Sequence, residues 1–129
     1  MRTILHWLRI AIACLLVPAL ALVIWGELTP SPPSLEVHVW DKILHFTAYF
    51  GLAVMATIAV RADRRAIWWA VGLVLLGGLL EILQGLTGRD ADIWDEVANS
   101  LGALSGLVFA WMGIAFLKAR RLVEDRPRN

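Results

Sequence analysis

Charge and cysteine are both scarce in this chain, and each shortage narrows what it can be. Charged residues make up 18% of it, and its one cysteine is Cys14. A lone cysteine excludes an intrachain disulfide and a metal centre built from cysteines. Cys14 lies in an apolar run, so we interpret it as a small helix-packing residue. The chain also lacks the motifs of a P-loop, a Rossmann dinucleotide site and a GxSxG nucleophile.

Apolar residues dominate instead: 59% of the chain is hydrophobic, and the mean hydropathy is +0.68. A soluble domain is nearer half apolar. Segments of about 20 residues can cross a bilayer at ~1.5 Å per residue. The sequence therefore predicts an all-α, polytopic membrane bundle of four transmembrane helices, at about residues 4–25, 39–60, 66–86 and 93–117.

These runs divide the chain into three parts. Residues 1–37 form a first transmembrane helix and a Pro-rich extracytoplasmic loop, residues 38–117 a three-helix region, and residues 118–129 a cytoplasmic polar tail. The loop is predicted over 27–37, because its prolines forbid a helix. The tail has mixed charge and is predicted to be disordered.

The first apolar run has a second interpretation, a signal peptide cleaved after Ala19-Leu-Ala21. The run continues beyond that motif to Trp25, which favours a retained helix.

Basic residues predict the orientation. In a four-span arrangement, ten of the 12 Lys and Arg residues lie on one side, and only Lys42 and Arg89 on the other. This positive-inside bias places both termini in the cytoplasm, as expected for a multi-pass membrane protein. Because topology explains the basic residues, we expect no nucleic-acid partner.

Three of the predicted helices carry a polar stripe near the outer end. The stripes follow steps of three and four residues, so each shares one helical face. Polar groups at such depth are costly and turn toward the bundle interior, where the stripes should meet. With Arg89 of the connecting loop, they form the candidate ligand-binding set: Asp41, Lys42, His45, Tyr49, Glu81, Gln84, Arg89, Asp92, Asp95 and Asn99.

Small residues on the predicted helices support the expectation that the polar stripes meet. Ala98, Gly102 and Gly106 form a small-xxx-small ladder on the fourth helix, and Gly77 and Gly78 lie one turn from Glu81. Such ladders allow two helix backbones to approach closely.

The order of these motifs resembles the VanZ-like family of small bacterial membrane proteins. The resemblance covers about residues 40–106, and its motifs are Asp41-Lys42-x-x-His45-x-x-x-Tyr49, Glu81-x-x-Gln84 and Arg89-x-x-Asp92-x-x-Asp95-x-x-x-Asn99-x-x-Gly102. The family is named after a protein linked to low-level teicoplanin resistance. The resemblance implies an integral membrane protein of the cell envelope, in the bacterial cytoplasmic (inner) membrane. It alone suggests a role like glycopeptide resistance.

The candidate catalytic residues are His45, Glu81 and Asp95. His45 could act as a general base, or could be a buried histidine bonded to Glu81 or Asp95. Glu81 could act as a general acid or base, or could form a structural pair with Lys42 or Arg89. The same three residues could also bind a metal ion through a mixture of nitrogen and oxygen ligands. No local ligand spacing such as HExxH supports this, so we expect no metal and no cofactor.

The other members of the set have plainer interpretations. Asp92 suits the N-cap of the fourth helix. Asn99 would bridge helices by hydrogen bonds, and Tyr49 would pack in the interior with one hydrogen bond. Lys42 and Arg89 could hold a phosphate or could simply neutralise nearby carboxylates.

Three functions stay open. The first is an outward-facing polar pocket for an anionic lipid-linked or cell-wall ligand, in which Arg89 and Lys42 receive the anion, with membrane lipids as its surroundings. The second is a membrane enzyme, a hydrolase or transferase acting on a lipid headgroup, in which His45 is the base, Glu81 the acid and Arg89 an electrostatic stabiliser. The third is a structural partner subunit. No internal repeat is evident, and the chain is too short for the inverted-repeat architecture of most secondary transporters unless it forms oligomers. A homo-oligomer therefore also stays open.

Overall fold

The computed structural model describes residues 2–29, 38–86 and 92–124, and within them it contains four α-helices and no strand. Each helix contains a segment long and apolar enough to cross a membrane. The predicted all-α membrane bundle is therefore confirmed. Its helices are α1 (Arg2–Leu28), α2 (His38–Ala59), α3 (Arg65–Leu86) and α4 (Ile93–Glu124).

Two predicted boundaries are wrong. Helix α1 runs to Leu28, so Glu27 belongs to a helix and not to the Pro-rich loop. The first proline after it is Pro30, which disfavours helical backbone mainly at the residue before it. The remainder of the predicted loop, 30–37, lies outside the described residues.

The second error concerns the polar tail. Helix α4 continues to Glu124, so residues 118–124 are helical. This segment contains Lys, Arg, Ala and Leu, which favour helices whether or not the surroundings are apolar. The rest of the tail, 125–129, is outside the described residues.

Consecutive helices run in opposite directions, as contacts at both ends show. Near the start of α1, the Arg9 guanidinium donates hydrogen bonds to Ile58 O at 3.3 Å and Ala59 O at 2.8 Å, the last turn of α2. A basic group there satisfies carbonyls that the helix leaves without partners. Near the other end of α1, the Gln84 side chain of α3 donates to Glu27 O at 3.0 Å.

The turn between α2 and α3 is closed by local hydrogen bonds. Ala62 N donates to Thr57 O at 2.9 Å and Arg61 N to Ile58 O at 3.1 Å, the two bonds of a Schellman motif. Arg61 adopts the positive φ of 63° that this motif needs. Asp63 then accepts a hydrogen bond from Arg65 N at the start of α3. Hydrogen bonds from the Arg65 side chain and backbone lower the pKa of Asp63.

Helices α2 and α4 approach each other most closely at two glycines. A Cβ on Gly102 would collide with the backbone carbonyl of Phe46, and one on Gly106 with that of Phe50. The small-residue ladder on the fourth helix therefore packs against α2, as the sequence predicts.

The buried core of the bundle consists mostly of alanine and leucine side chains, and the surface is apolar. Tyr49 is fully buried and packs with small and aliphatic side chains from all four helices. Large hydrophobic side chains face outward, including Trp25, Trp40 and Trp94 near one end and Trp68 at the other. Exposed tryptophans at helix ends are typical of membrane interfaces.

Candidate functional site

Four helix ends meet at one end of the bundle, and they bring most of the polar side chains of the membrane segments together. We call this set the polar cluster. It combines the last turn of α1, the first turns of α2 and α4, and the last turns of α3. Its members are Glu27, Asp41, Lys42, His45, Tyr49, Glu81, Gln84, Asp92, Asp95 and Asn99.

Lys42 joins α2 to the start of α4. Its Nζ donates to Asp92 Oδ2 at 2.6 Å and to Asp95 Oδ1 at 3.2 Å. Lys42 and Asp92 are each about one-third exposed, whereas Asp95 is buried. Lys42 thus neutralises nearby carboxylates, one of its two predicted roles, and it does not pair with Glu81.

His45 is buried among oxygen atoms. Its Nδ1 lies 3.1 Å from Asn99 Oδ1 and 3.6 Å from Glu27 Oε1, and its Nε2 lies 3.8 Å from Asp41 Oδ1. The predicted structural partners, Glu81 and Asp95, are therefore not its hydrogen-bond partners. The Asn99 contact joins α2 to α4, which is the bridging role predicted for that amide.

Glu81 is buried on α3 and contacts the start of α4. Its Oε2 accepts a hydrogen bond from the backbone N–H of Asp92 at 3.2 Å. Its Oε1 is buried and has no hydrogen-bond partner among the described residues. A buried carboxylate oxygen without a donor costs free energy, which makes Glu81 the member of the cluster least explained by structure alone.

Glu27 is the member that sequence reasoning missed. It is only 8% exposed, and its Oε2 accepts a hydrogen bond from Tyr49 at 3.4 Å. Its Oε1 faces His45, and its backbone carbonyl accepts from Gln84. Helix α1 therefore supplies a fourth side to a cluster that the sequence predicts from three helices. The available signal was an acid immediately after an apolar run, at a depth similar to that of Glu81.

Asp92 caps helix α4. Its Oδ1 accepts a hydrogen bond from Trp94 N at 2.9 Å, and its carbonyl accepts one from Asp95 N at 2.8 Å. The same carboxylate binds Lys42 through its other oxygen, so one side chain both begins the helix and fixes it to α2.

Glu96 borders the cluster and was also missed. Ser100 Oγ donates to Glu96 Oε1 at 2.9 Å, while the buried Glu96 Oε2 has no hydrogen-bond partner among the described residues. Glu96 and Asn99 pack over Gly77, where a Cβ would collide with Glu96 Oε2. The absence of a side chain at Gly77 thus makes room for a carboxylate and an amide between α3 and α4.

The structure brings together nine of the ten residues predicted as ligand-binding. The tenth, Arg89, lies outside the described residues. Among the described residues of the cluster, the carboxylates outnumber the basic groups, and the one lysine is bonded to two of them. The arrangement can bind hydrogen-bond donors or cations, and His45 beside Glu27 and Asp41 can accept a proton.

Fold and site together define a multi-pass, four-helix membrane protein with a buried polar cluster at one end of the bundle. Comparison with protein-family models, curated proteins and solved structures finds no match to this chain.

Proposed function

We propose that this chain is a multi-pass protein of the bacterial cytoplasmic membrane, with cytoplasmic termini, whose polar cluster binds a lipid-linked or cell-wall ligand from the outer side. The orientation is supported by the ten-to-two distribution of Lys and Arg. A role in the cell envelope, like glycopeptide resistance, is supported by the resemblance to VanZ-like proteins.

The observation that carries the binding proposal is a pair of buried polar atoms without partners among the described residues. Glu81 Oε1 is an acceptor and Asn99 Nδ2 is a donor, and both belong to the polar cluster. A cluster that only held helices together would satisfy such atoms within the protein, as buried polar groups generally are. A ligand that both donates and accepts hydrogen bonds would satisfy them.

The balance of charge favours a ligand rich in hydrogen-bond donors. Carboxylates from all four helices face the cluster, and Lys42 is bonded to two of them. Hydroxyl, amide or ammonium groups of a lipid headgroup or a cell-wall saccharide suit this surface. Contact with a phosphate is assigned to Arg89, on the sequence alone.

A membrane enzyme acting on a lipid headgroup is the second candidate, and the surroundings of His45 favour it. Its Nδ1 faces Glu27 and Asn99, and its Nε2 faces Asp41. An imidazole beside carboxylates is the usual form of a general base, and water would be the nucleophile. A structural subunit is the third candidate; in it, another chain would satisfy Glu81 Oε1, which has no hydrogen-bond partner among the described residues.

Lipids that co-purify with the protein test the binding proposal. The full chain is purified in mild detergent as wild type, Glu81→Gln and Asp63→Asn, and bound lipids are quantified by mass spectrometry. Asp63→Asn is the matched control, because it removes a carboxylate at the opposite end of the bundle. We expect one headgroup class to be enriched in wild type and in Asp63→Asn and lost in Glu81→Gln, with Glu81→Gln still folded.

A second arm separates a lipid from a soluble cell-wall fragment. Delipidated protein is titrated with saccharide-peptide fragments of the cell wall, and its thermal stability is followed. Stabilisation of wild type but not of Glu81→Gln identifies the fragment as the ligand. Equal lipid content in all three proteins, together with no stabilisation by any fragment, would contradict ligand binding by the cluster.

A further inference from the structure

Both ring nitrogens of His45 face oxygen atoms. With its proton on Nδ1, His45 donates to Oδ1 of the Asn99 side chain, 3.1 Å away. The other nitrogen, Nε2, then presents its lone pair to the carboxylate of Asp41, whose Oδ1 is 3.8 Å away. Two electron-rich atoms facing each other repel, and a cation placed between them would reverse that repulsion.

Asp95 brings a third ligand atom from a different helix. One ligand atom each of Asp41, His45 and Asp95 lies within 4.8 Å of the other two. First-row metal ions bind nitrogen and carboxylate oxygen at about 2.0–2.2 Å, so ligands on opposite sides of an ion are about 4.2 Å apart. Small side-chain movements would therefore bring the three atoms into a coordination sphere.

The site is accessible from outside the bundle. The Asp41 side chain is 46% exposed, whereas those of His45 and Asp95 are 6% and 7% exposed. An ion could therefore reach two buried ligands past one half-exposed carboxylate.

Glu81 provides an independent indication that a cation is needed here. Its buried Oε1 has no hydrogen-bond partner among the described residues, and Glu81 adds a further carboxylate to the polar cluster. Within the described part of the chain, Lys42 is the one Lys or Arg that binds carboxylates of the polar cluster, those of Asp92 and Asp95, and it does not bind Glu81. Burying carboxylates is costly unless positive charge balances them.

We propose that Asp41, His45 and Asp95 bind one divalent transition-metal ion, and that Lys42 competes with it for Asp95. One imidazole and two carboxylates suit Zn²⁺ or Mn²⁺ better than Ca²⁺ or Mg²⁺, which prefer oxygen ligands alone. The ligands come from one turn of α2 and one position of α4, so the sequence shows no compact motif, and the expectation of no metal rested on that absence. The metal site adds to the proposed function but depends only on these three residues.

Zinc binding to the full-length protein tests this proposal. The chain is purified in detergent, stripped of metal with a chelator, and titrated with Zn²⁺ by calorimetry. We expect one site per chain, and a loss of at least about tenfold in affinity for Asp41→Asn and for Asp95→Asn. Asp63→Asn, at the opposite end of the bundle, is the control and should bind as wild type does.

Lys42→Met distinguishes this site from adventitious binding to exposed acids. Removing the competing ammonium should raise the Zn²⁺ affinity, whereas binding elsewhere on the chain would not respond. Pulsed electron paramagnetic resonance of bound Mn²⁺ should also show coupling to an imidazole nitrogen that disappears in His45→Gln. Thermal unfolding of each variant without metal establishes that it is folded.

Three results would overturn the proposal: no Zn²⁺ binding by the wild type, equal affinity in wild type and Asp95→Asn, or no nitrogen coupling to Mn²⁺. Lipid binding is measured separately on metal-free protein. Enriched lipid with no metal binding would reject the metal site alone, and metal binding without enriched lipid or stabilising fragments would reject the proposed ligand alone.

Discussion

Glu27 lies in the last turn of the apolar helix α1, and its buried carboxylate lies beside His45 and Tyr49. Hydropathy predicts the end of the first span at Trp25, because it registers where apolar side chains stop. A helix, however, continues as long as its backbone hydrogen bonds can form, and here it reaches Leu28. Hydropathy therefore assigns Glu27 to a loop. Its place beside His45 depends on how α1 packs against α2, which hydropathy does not describe.

The residues predicted on the other three helices were easier to identify. A stripe at steps of three and four residues indicates one helical face, and polar groups in a membrane turn inward. The individual partners did not follow from this reasoning. His45 bonds to Asn99 and not to Glu81 or Asp95, because partner choice depends on helix rotation and on distances that the sequence does not contain.

At Asp92, we expect Asp92→Ala to lower stability more than Asp92→Asn. Alanine removes both the N-cap of α4 and the contact with Lys42, whereas asparagine keeps the cap acceptor for Trp94 N. Loss of an N-cap costs about 0.5–2 kcal/mol, and a partly exposed ion pair contributes about 0.2–1 kcal/mol. Unfolding in mixed micelles, followed by circular dichroism, measures the difference.

Asp41→Asn, measured without metal like the other two variants, is the control for that comparison, since it changes a carboxylate at the same end without removing the N-cap of α4. Its stability should stay close to that of wild type. Equal losses for Asp92→Ala and Asp92→Asn would show that the capping bond contributes nothing measurable.

At the scale of the elements, the closest packing in the bundle is between α2 and α4. The small-residue ladder predicted this approach, because glycine spacing indicates where backbones can meet. The turn between α2 and α3 could not be predicted in the same way. It places Arg61 and Ala62 at positive φ, and neither is the glycine that usually signals such a turn.

Glycine substitutions on α4 test the packing. In Gly102→Ala, the added Cβ would collide with the backbone carbonyl of Phe46, which cannot move aside as a flexible side chain can. We expect a loss of about 1–3 kcal/mol, typical of overpacking. The measurement is again unfolding in mixed micelles.

Gly113→Ala is the matched control on the same helix, because nothing lies within 4 Å of its added Cβ. It should leave stability unchanged or raise it by up to about 1 kcal/mol, the difference in helix propensity. If both alanine variants were equally stable, the close contact between α2 and α4 would be absent from the folded protein.

At the scale of the whole molecule, the number and class of the helices follow from the lengths of the apolar runs. Their arrangement into one polar end follows from the alternating direction of consecutive helices, which places all the stripes together. What the polar cluster binds does not follow in the same way. Ligand identity depends on the shape and charge of a surface made by four helices, and one of those helices contributes a residue that the sequence reasoning left out.

The central claim is that the polar cluster faces away from the cytoplasm, because only there could it meet an envelope ligand. Thiol labelling with a membrane-impermeant reagent tests this most directly. In a chain with Cys14→Ala, one cysteine is introduced at exposed Thr29, beside the cluster, or at exposed Arg64, in the turn at the opposite end. We expect Thr29→Cys to be labelled in cells whose outer membrane alone is permeabilised, and Arg64→Cys only after the inner membrane is also opened. The reverse pattern would place the cluster in the cytoplasm and contradict the proposed ligand class.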